Sequence, residues 1–157
     1  RSTNYKYYRR KMASYIGWFK HANCYSLLNK TIKHKELLDY LTPRYNLYIL
    51  SNGFHELQYS KMEASGILHY FKKIILSEDY GIMKPDSEIF RQALSVTRSK
   101  KENSVMVGDN WEVDILGARG VGLSQIFYNV YSRDTSSLKL SSSTFCVDSL
   151  SEIKFLL

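Results

Sequence analysis

The alternation of short apolar runs with amphipathic helical stretches, from about residue 31 to the end, constrains the fold most. This alternation predicts a parallel β-sheet covered by helices, a three-layer α/β/α arrangement. Polar loops containing glycine follow two of the apolar runs. Open sheets of this kind bind their ligands in the loops after the strands. The predicted strands are 45–50, 73–76, 104–107, 124–127 and 144–147, and the predicted helices are 31–41, 54–65, 86–96 and 150–157.

Composition limits the class of protein. A chain of 157 residues with 44% hydrophobic side chains suits one globular domain with a sizeable core. No run of eighteen apolar residues and no secretory signal pattern occur, so we expect no membrane association. Cys24 and Cys146 lack metal-ligand or disulfide spacing, which favours free thiols in a reducing, cytoplasmic compartment. The sequence is silent on oligomeric state.

The net charge of +7 comes entirely from the N-terminal segment. Residues 1–35 carry nine lysines and arginines and no acid. Apolar residues recur there at three- and four-residue steps, which favours an amphipathic cap or packing helix over a nucleic-acid-binding arm. A basic rim that attracts phosphorylated substrates is a third interpretation. The apolar positions are Tyr5, Tyr8, Met12, Tyr15, Ile16 and Phe19.

Two loops carry groups suited to a phosphoryl ligand. Ser51, Asn52 and Gly53 follow a predicted strand and lead into a helix, so a hydroxyl and main-chain amides could hold a phosphate. Lys84 precedes Pro85 at the start of another helix, where its charge could offset that of a phosphoryl group. Each signal is weak alone, since most loop lysines are surface residues.

A third loop carries two carboxylates. Asp109 follows a predicted strand, and Asp114 lies one turn into the next helix. Hard oxygen ligands of this kind suit Mg²⁺, which keeps waters and shares its coordination sphere with a substrate phosphate. The alternative is that Asp109 caps the helix and Asp114 is an exposed acid.

The order and spacing of these three loops resemble motifs two to four of the haloacid dehalogenase superfamily, over roughly residues 37–157. The residues of these motifs, together with the segment Ser77-Glu78-Asp79-Tyr80-Gly81 before the lysine, are most similar to those of the helical-cap subgroup and its pyrimidine 5′-nucleotidase branch. The resemblance implies a Rossmann-like core and a Mg²⁺ cofactor.

The resemblance also implies the role of each site residue. Ser51, with the Asn52 and Gly53 amides, would bind phosphate, and Lys84 would stabilise the phosphoryl group and an aspartyl intermediate. Asp109 would ligate the metal, and Asp114 would support the metal or orient Lys84. The implied reaction is attack by an aspartate on phosphorus, followed by hydrolysis of the aspartyl phosphate.

The sequence departs from this family at its first motif, an apolar strand ending in Asp-x-Asp. Residues 1–36 contain no aspartate, so the nucleophile and the acid–base aspartate are both missing. We therefore expect a sheet without its central first-motif strand, with residues 1–30 as a helical cap remnant and 31–157 as a partial core. On this hypothesis the first motif lies upstream in a longer polypeptide.

Three functions remain open. The first is a magnesium-dependent phosphomonoester hydrolase acting on a small phosphorylated metabolite, such as a nucleoside monophosphate, to which this chain supplies three motifs. The second is a catalytically inactive relative that binds phosphate or a partner. The third is other chemistry of the superfamily, such as a sugar-phosphate mutase or a dehalogenase; a dehalogenase is disfavoured because it does not need the two metal-binding aspartates.

Overall fold

The computed structural model describes residues 14–17, 27–132 and 134–157, with side chains from residue 34 onward. The predicted α/β class is confirmed: six parallel strands form one sheet, in the order β3-β2-β1-β4-β5-β6. In the described residues, no helix has the length and apolarity to cross a membrane. The strands are β1 (Ser14–Gly17), β2 (Asn46–Ser51), β3 (Lys73–Leu76), β4 (Ser104–Gly108), β5 (Ser124–Tyr128) and β6 (Thr144–Val147).

Helices connect these strands. A six-residue π-helical stretch, Trp111–Leu116, leads directly into a short α-helix after β4. The α-helices are α1 (Leu27–Leu41), α2 (His55–Ala64), α3 (Ser77–Tyr80), α4 (Ser87–Val96), α5 (Gly117–Gly120) and α6 (Leu150–Leu156).

The core lies on both faces of the sheet, because alternate strand residues point to opposite sides. On one face Leu47 and Ile49 of β2 pack with buried leucines of α1 and with Ile153 of α6. On the other face Tyr48 and Leu50 pack with Ile89, Phe90 and Ala93 of α4. The three layers of the prediction are therefore present.

The sheet has a central strand, contrary to the prediction. Ser14–Gly17 pairs in parallel with both β2 and β4, and Gly17 is level with Ile49 and Val107. The expected helix over Tyr15 and Ile16 is therefore wrong. Backbone pairing on both sides favours the extended form over the helix that the local apolar spacing suggests.

Three further predictions concern the N-terminal part of the chain. Helix α1 begins at Leu27 rather than near Thr31. The predicted cap helix at Tyr5, Tyr8, Met12 and Phe19 falls outside the described residues. The domain boundary near residue 30 stays a prediction.

The strand order places a switch point at the centre of the sheet. From β1 the chain continues to β2 and β3 on one side, and later to β4, β5 and β6 on the other. The carboxyl ends of all six strands meet at one edge, because all the pairings are parallel. Ligands of open α/β sheets bind at this edge, beside the point where the strand order reverses.

Candidate functional site

The loop after β2 is tied to the loop that carries the lysine. Nδ2 of Asn52 donates to the Lys84 carbonyl over 2.9 Å, and the Lys84 amide donates to Oδ1 of Asn52 over 2.8 Å. One side-chain amide thus satisfies both polar groups of the Lys84 backbone. The sequence prediction gave Asn52 a main-chain role only and missed this one.

Ser51 ends β2 and is fully buried. Its Oγ accepts a hydrogen bond from the Gly53 amide over 3.0 Å. Because the Ser51 hydroxyl acts as the acceptor in this bond, its own proton is available for another oxygen.

Lys84 reaches back into the sheet rather than out to solvent. Its Nζ donates to the Leu50 carbonyl over 2.9 Å and to Oδ1 of Asp114 over 2.7 Å, and only 4% of the residue is exposed. Asp114 is 1% exposed, so the ion pair is buried. The interpretation of Lys84 as an ordinary surface lysine is thereby excluded.

The turn after β4 holds Asp114 in place. Asn110 begins the π-helical stretch, and its Oδ1 accepts from the Val113 amide. Oδ2 of Asp114 accepts from the Asn110 amide over 3.1 Å. Gly108 makes this approach possible, since a β-carbon there would lie 2.6 Å from Cγ of Asp114. Such π-helical turns are found frequently at functional sites.

Asp114 fits the orienting role better than a metal-binding role. Oδ1 bonds to Lys84 and Oδ2 to the Asn110 amide. A direct bond to a cation would compete with these contacts. The alternative of an exposed acid is excluded by its burial.

Asp109 lies between β4 and this turn and is half-buried, with Oδ1 shielded from solvent. The pKa of Tyr128, at the end of β5, is raised by burial and then by the negative charge of Asp109. The Asp109 carboxylate is therefore close enough to Tyr128, at the end of the neighbouring strand, to raise the pKa of its phenol. The sequence did not predict this relationship.

The described residues offer a magnesium ion a partial set of ligands. Asp109 supplies one carboxylate, and the described part of the chain contains no cluster of three or more acidic, histidine or cysteine side chains that could hold a metal. Mg²⁺ is often bound by one or two carboxylates together with waters and substrate phosphates. Asp109 therefore fits as one ligand, and the assignment of Asp109 and Asp114 as metal ligands stays a prediction.

Three exposed apolar side chains lie in loops at the same edge of the sheet. Phe54 follows the Ser51 loop, Met83 immediately precedes Lys84, and Tyr131 follows β5. Their exposed fractions are 71%, 60% and 67%. Apolar groups at the mouth of a polar site suit the organic part of a small ligand.

A sequence profile of the haloacid dehalogenase-like hydrolases matches residues 28–122. The chain belongs to this family. The resemblance stated from the motifs is thus confirmed, and the family match includes Ser51, Lys84, Asp109 and Asp114.

Individual relatives agree with the family assignment. The chain is 34% identical over 122 residues to the pyrimidine 5′-nucleotidase YjjG of Escherichia coli, which covers 77% of this chain and 53% of that protein. It is 40% identical over 93 residues to a glyceraldehyde 3-phosphate phosphatase of Methanothermobacter thermautotrophicus, covering 59% and 41%. The chain therefore spans about half the length of these relatives.

A solved structure has the same fold. The putative HAD-hydrolase YfnB of Bacillus subtilis, in a magnesium-bound crystal form, matches with a TM-score of 0.70 and 28% identity. The match covers 76% of this chain and 52% of that one.

The structure brings together the residues that the sequence singled out. The Ser51 loop, Lys84 and Asp114 are joined by hydrogen bonds, and Asp109 lies at the same sheet edge. Their roles in phosphate binding and catalysis stay predictions. Sequence reasoning missed Gln58, which lies against Gly53. A polar residue in the first turn of the helix after the phosphate loop was the available signal.

Proposed function

We propose that this chain supplies the phosphate-binding and lysine-bearing parts of a magnesium-dependent phosphomonoester hydrolase that acts on a small phosphorylated metabolite, such as a nucleoside monophosphate. The observation that carries the proposal is the position of Nζ of Lys84, between the carbonyl that precedes Ser51 and the Asp114 carboxylate. The named activities of YjjG and of the glyceraldehyde 3-phosphate phosphatase support this class of substrate.

Three side chains of this chain would bind the phosphoryl group or position the residue that binds it. The Ser51 hydroxyl would donate to a phosphoryl oxygen while its Oγ accepts from Gly53. Lys84 would place its positive charge beside the phosphoryl oxygens, and Asp114 would hold Lys84 in that position. Fixed charges in a region screened from water act more strongly on developing negative charge than solvated ones do.

The charges of the site support a requirement for a divalent cation. Lys84 is balanced by Asp114, and Asp109 adds a further negative charge at the same edge. A phosphate dianion at this edge would lie near two carboxylates, and a divalent cation would reduce the repulsion between them. When bound, Mg²⁺ would supply this charge compensation, with Asp109 as one ligand.

A second candidate is phosphate binding without turnover. The central strand carries no carboxylate, and the residues that follow Gly17 in the sequence are Trp18, Phe19 and Lys20. The first aspartate of the sequence is Asp39. Because β1 already fills the position where a nucleophile-bearing strand was expected, this observation supports an inactive binding protein as the second candidate.

Calorimetric titration with inorganic phosphate, with and without Mg²⁺, tests the proposal. We expect binding that requires Mg²⁺ and is weakened in Ser51→Ala, since one phosphoryl contact is lost. Ser60→Ala, on the exposed side of α2, is the matched control and should bind normally. Absence of phosphate binding under both conditions would rule out both candidate functions.

An assay of p-nitrophenyl phosphate hydrolysis complements the titration. The 157-residue chain should release no phosphate above background, because it lacks the nucleophile. Turnover by a natural polypeptide that extends this sequence upstream with an Asp-x-Asp segment would favour the hydrolase. Natural forms that bind phosphate without turnover would favour the inactive binding protein.

A further inference from the structure

Gln58 is a buried polar side chain beside the phosphate-binding loop. It lies in the first turn of α2 and is only 8% exposed. Among the described residues, its side-chain amide makes no hydrogen bond, although its backbone amide donates to the Phe54 carbonyl over 3.0 Å. The residue as a whole is buried, but its amide atoms are not among the fully enclosed polar atoms of the described residues, so a ligand or a water can reach them.

The Gln58 amide faces the Gly53 backbone. A β-carbon on Gly53 would lie 2.8 Å from Cδ of Gln58 and closer still to Nε2. The side chain therefore occupies the space that any larger residue at position 53 would need. This places a hydrogen-bond donor next to the loop in which the Ser51 hydroxyl and the Gly53 amide interact.

The amino end of α2 provides a favourable electrostatic setting. The helix has ten residues, and its first turn follows the Ser51-Asn52-Gly53 loop directly. Unpaired amides at such an end attract negative charge. One amide at this end of the helix already binds a carboxylate: the His55 amide donates to Oε2 of Glu78 over 2.8 Å. Gln58 is set deeper than this exposed contact.

We propose that Gln58 is a further anion-binding residue of the site, and that its Nε2 donates a hydrogen bond to an oxygen of the phosphoryl group held by Ser51. This rests on the proposed function, because it assigns a new contact to the same phosphate. The neutral amide adds a donor without adding charge beside the balanced Lys84–Asp114 pair. Gly53 would be required at its position to leave room for that amide.

Binding of inorganic sulfate and of inorganic phosphate in the presence of Mg²⁺ tests this assignment. Gln58→Met keeps the length of the side chain but removes the donor, so both anions should bind about tenfold to a hundredfold more weakly. Gln92→Met is the matched control: Gln92 is a half-buried glutamine of α4 that bonds to Glu88, and the change should leave anion binding unaltered.

Gln58→Glu separates a direct contact from a structural role. Sulfate keeps its charge between about pH 4 and 7, whereas a glutamate titrates there, with an ordinary pKa of about 4.3. Sulfate affinity of Gln58→Glu, relative to that of Gln58→Met, should fall as the pH rises. A side chain that lies away from the bound anion would give no such pH dependence, and circular dichroism would verify that both variants fold.

These binding measurements distinguish failure of the Gln58 assignment from failure of the proposed function. If the wild-type chain binds neither anion, the proposed function and this assignment both fail. If it binds them and Ser51→Ala weakens binding while Gln58→Met does not, only the assignment of Gln58 is overturned. Weakened binding in Gln58→Met together with the pH dependence of Gln58→Glu would support it.

Discussion

Nζ of Lys84 lies 2.7 Å from Oδ1 of Asp114, and both side chains are almost completely buried although they are thirty residues apart in the sequence. The pair joins the loop before α4 to the π-helical turn after β4. Burying two charges is costly, and the cost is offset only when both partners are present. This pair therefore links the stability of the core to the geometry of the candidate site.

Replacing Asp114 by asparagine should destabilise the chain strongly. The variant leaves Lys84 buried without its counter-charge, and breaking a buried pair in this way costs about 3–5 kcal/mol. Urea denaturation would measure the loss in the free energy of unfolding. The exposed Arg91–Glu88 pair is the control, since its N–O distance is 3.4 Å and Glu88→Gln should cost less than about 1 kcal/mol. Equal effects of the two substitutions would contradict this account of the buried pair.

Gly108→Ala should also be destabilising, by about 1–3 kcal/mol, because the added methyl group overlaps the Asp114 side chain. Gly120→Ala is the matched control. Among the described residues, no heavy atom outside its own helix backbone and chain neighbours lies within 4 Å of a β-carbon at that position, so the change should be neutral or stabilise the chain by about 0.4–1 kcal/mol. Midpoints of denaturant unfolding compare the two. A neutral Gly108→Ala would show that Asp114 does not need this close approach.

Asn52→Ala removes both hydrogen bonds between the Asn52 side chain and the Lys84 backbone. At about 0.5–1.5 kcal/mol for each bond, we expect a loss of about 1–3 kcal/mol in unfolding free energy. Faster hydrogen exchange of the Lys84 amide should accompany this loss. Asn103→Ala, in a turn on another part of the chain, should stay within about 0.5 kcal/mol of the wild type. Unchanged protection of the Lys84 amide would argue against the link between the two loops.

The Tyr128 phenol should report the charge of Asp109. Burial and the carboxylate both raise the pKa of Tyr128 above its ordinary value of 10.0. Asp109→Asn removes the carboxylate, so the pKa should fall toward 10.0 while the effect of burial remains. Phenolate absorbance, corrected with Tyr128→Phe, would measure the shift.

Tyr70 provides the control for this titration. Its pKa is raised mainly by its hydrogen bond to Asp39, far from Asp109 in the sequence. Asp39→Asn should lower the pKa of Tyr70 and leave that of Tyr128 unchanged. Because both pKa values are raised in the folded state, this contribution to stability is complete below pH 10 and is lost as the pH rises through the folded pKa values. A Tyr128 titration insensitive to Asp109→Asn would place the carboxylate elsewhere.

Most of the fold could be predicted because its strands β2 to β6 are local apolar runs bounded by polar loops. The short strand β1 could not. Tyr15 and Ile16 fit the apolar spacing of a helix, and only pairing with β2 on one side and β4 on the other makes them extended. Partners so distant in sequence leave no trace in a window of a few residues.

The sequence by itself determined the parallel α/β class and the order of the loops, and it predicted Ser51, Lys84, Asp109 and Asp114 as site residues, because these depend on residue types at fixed local spacings. The tertiary structure alone decided that Asp114 holds Lys84, that the Asn52 side chain binds the Lys84 backbone, and that Gln58 lies on Gly53. Each of these contacts depends on packing and hydrogen-bond geometry that forms only when the separate loops meet at one edge of the folded sheet.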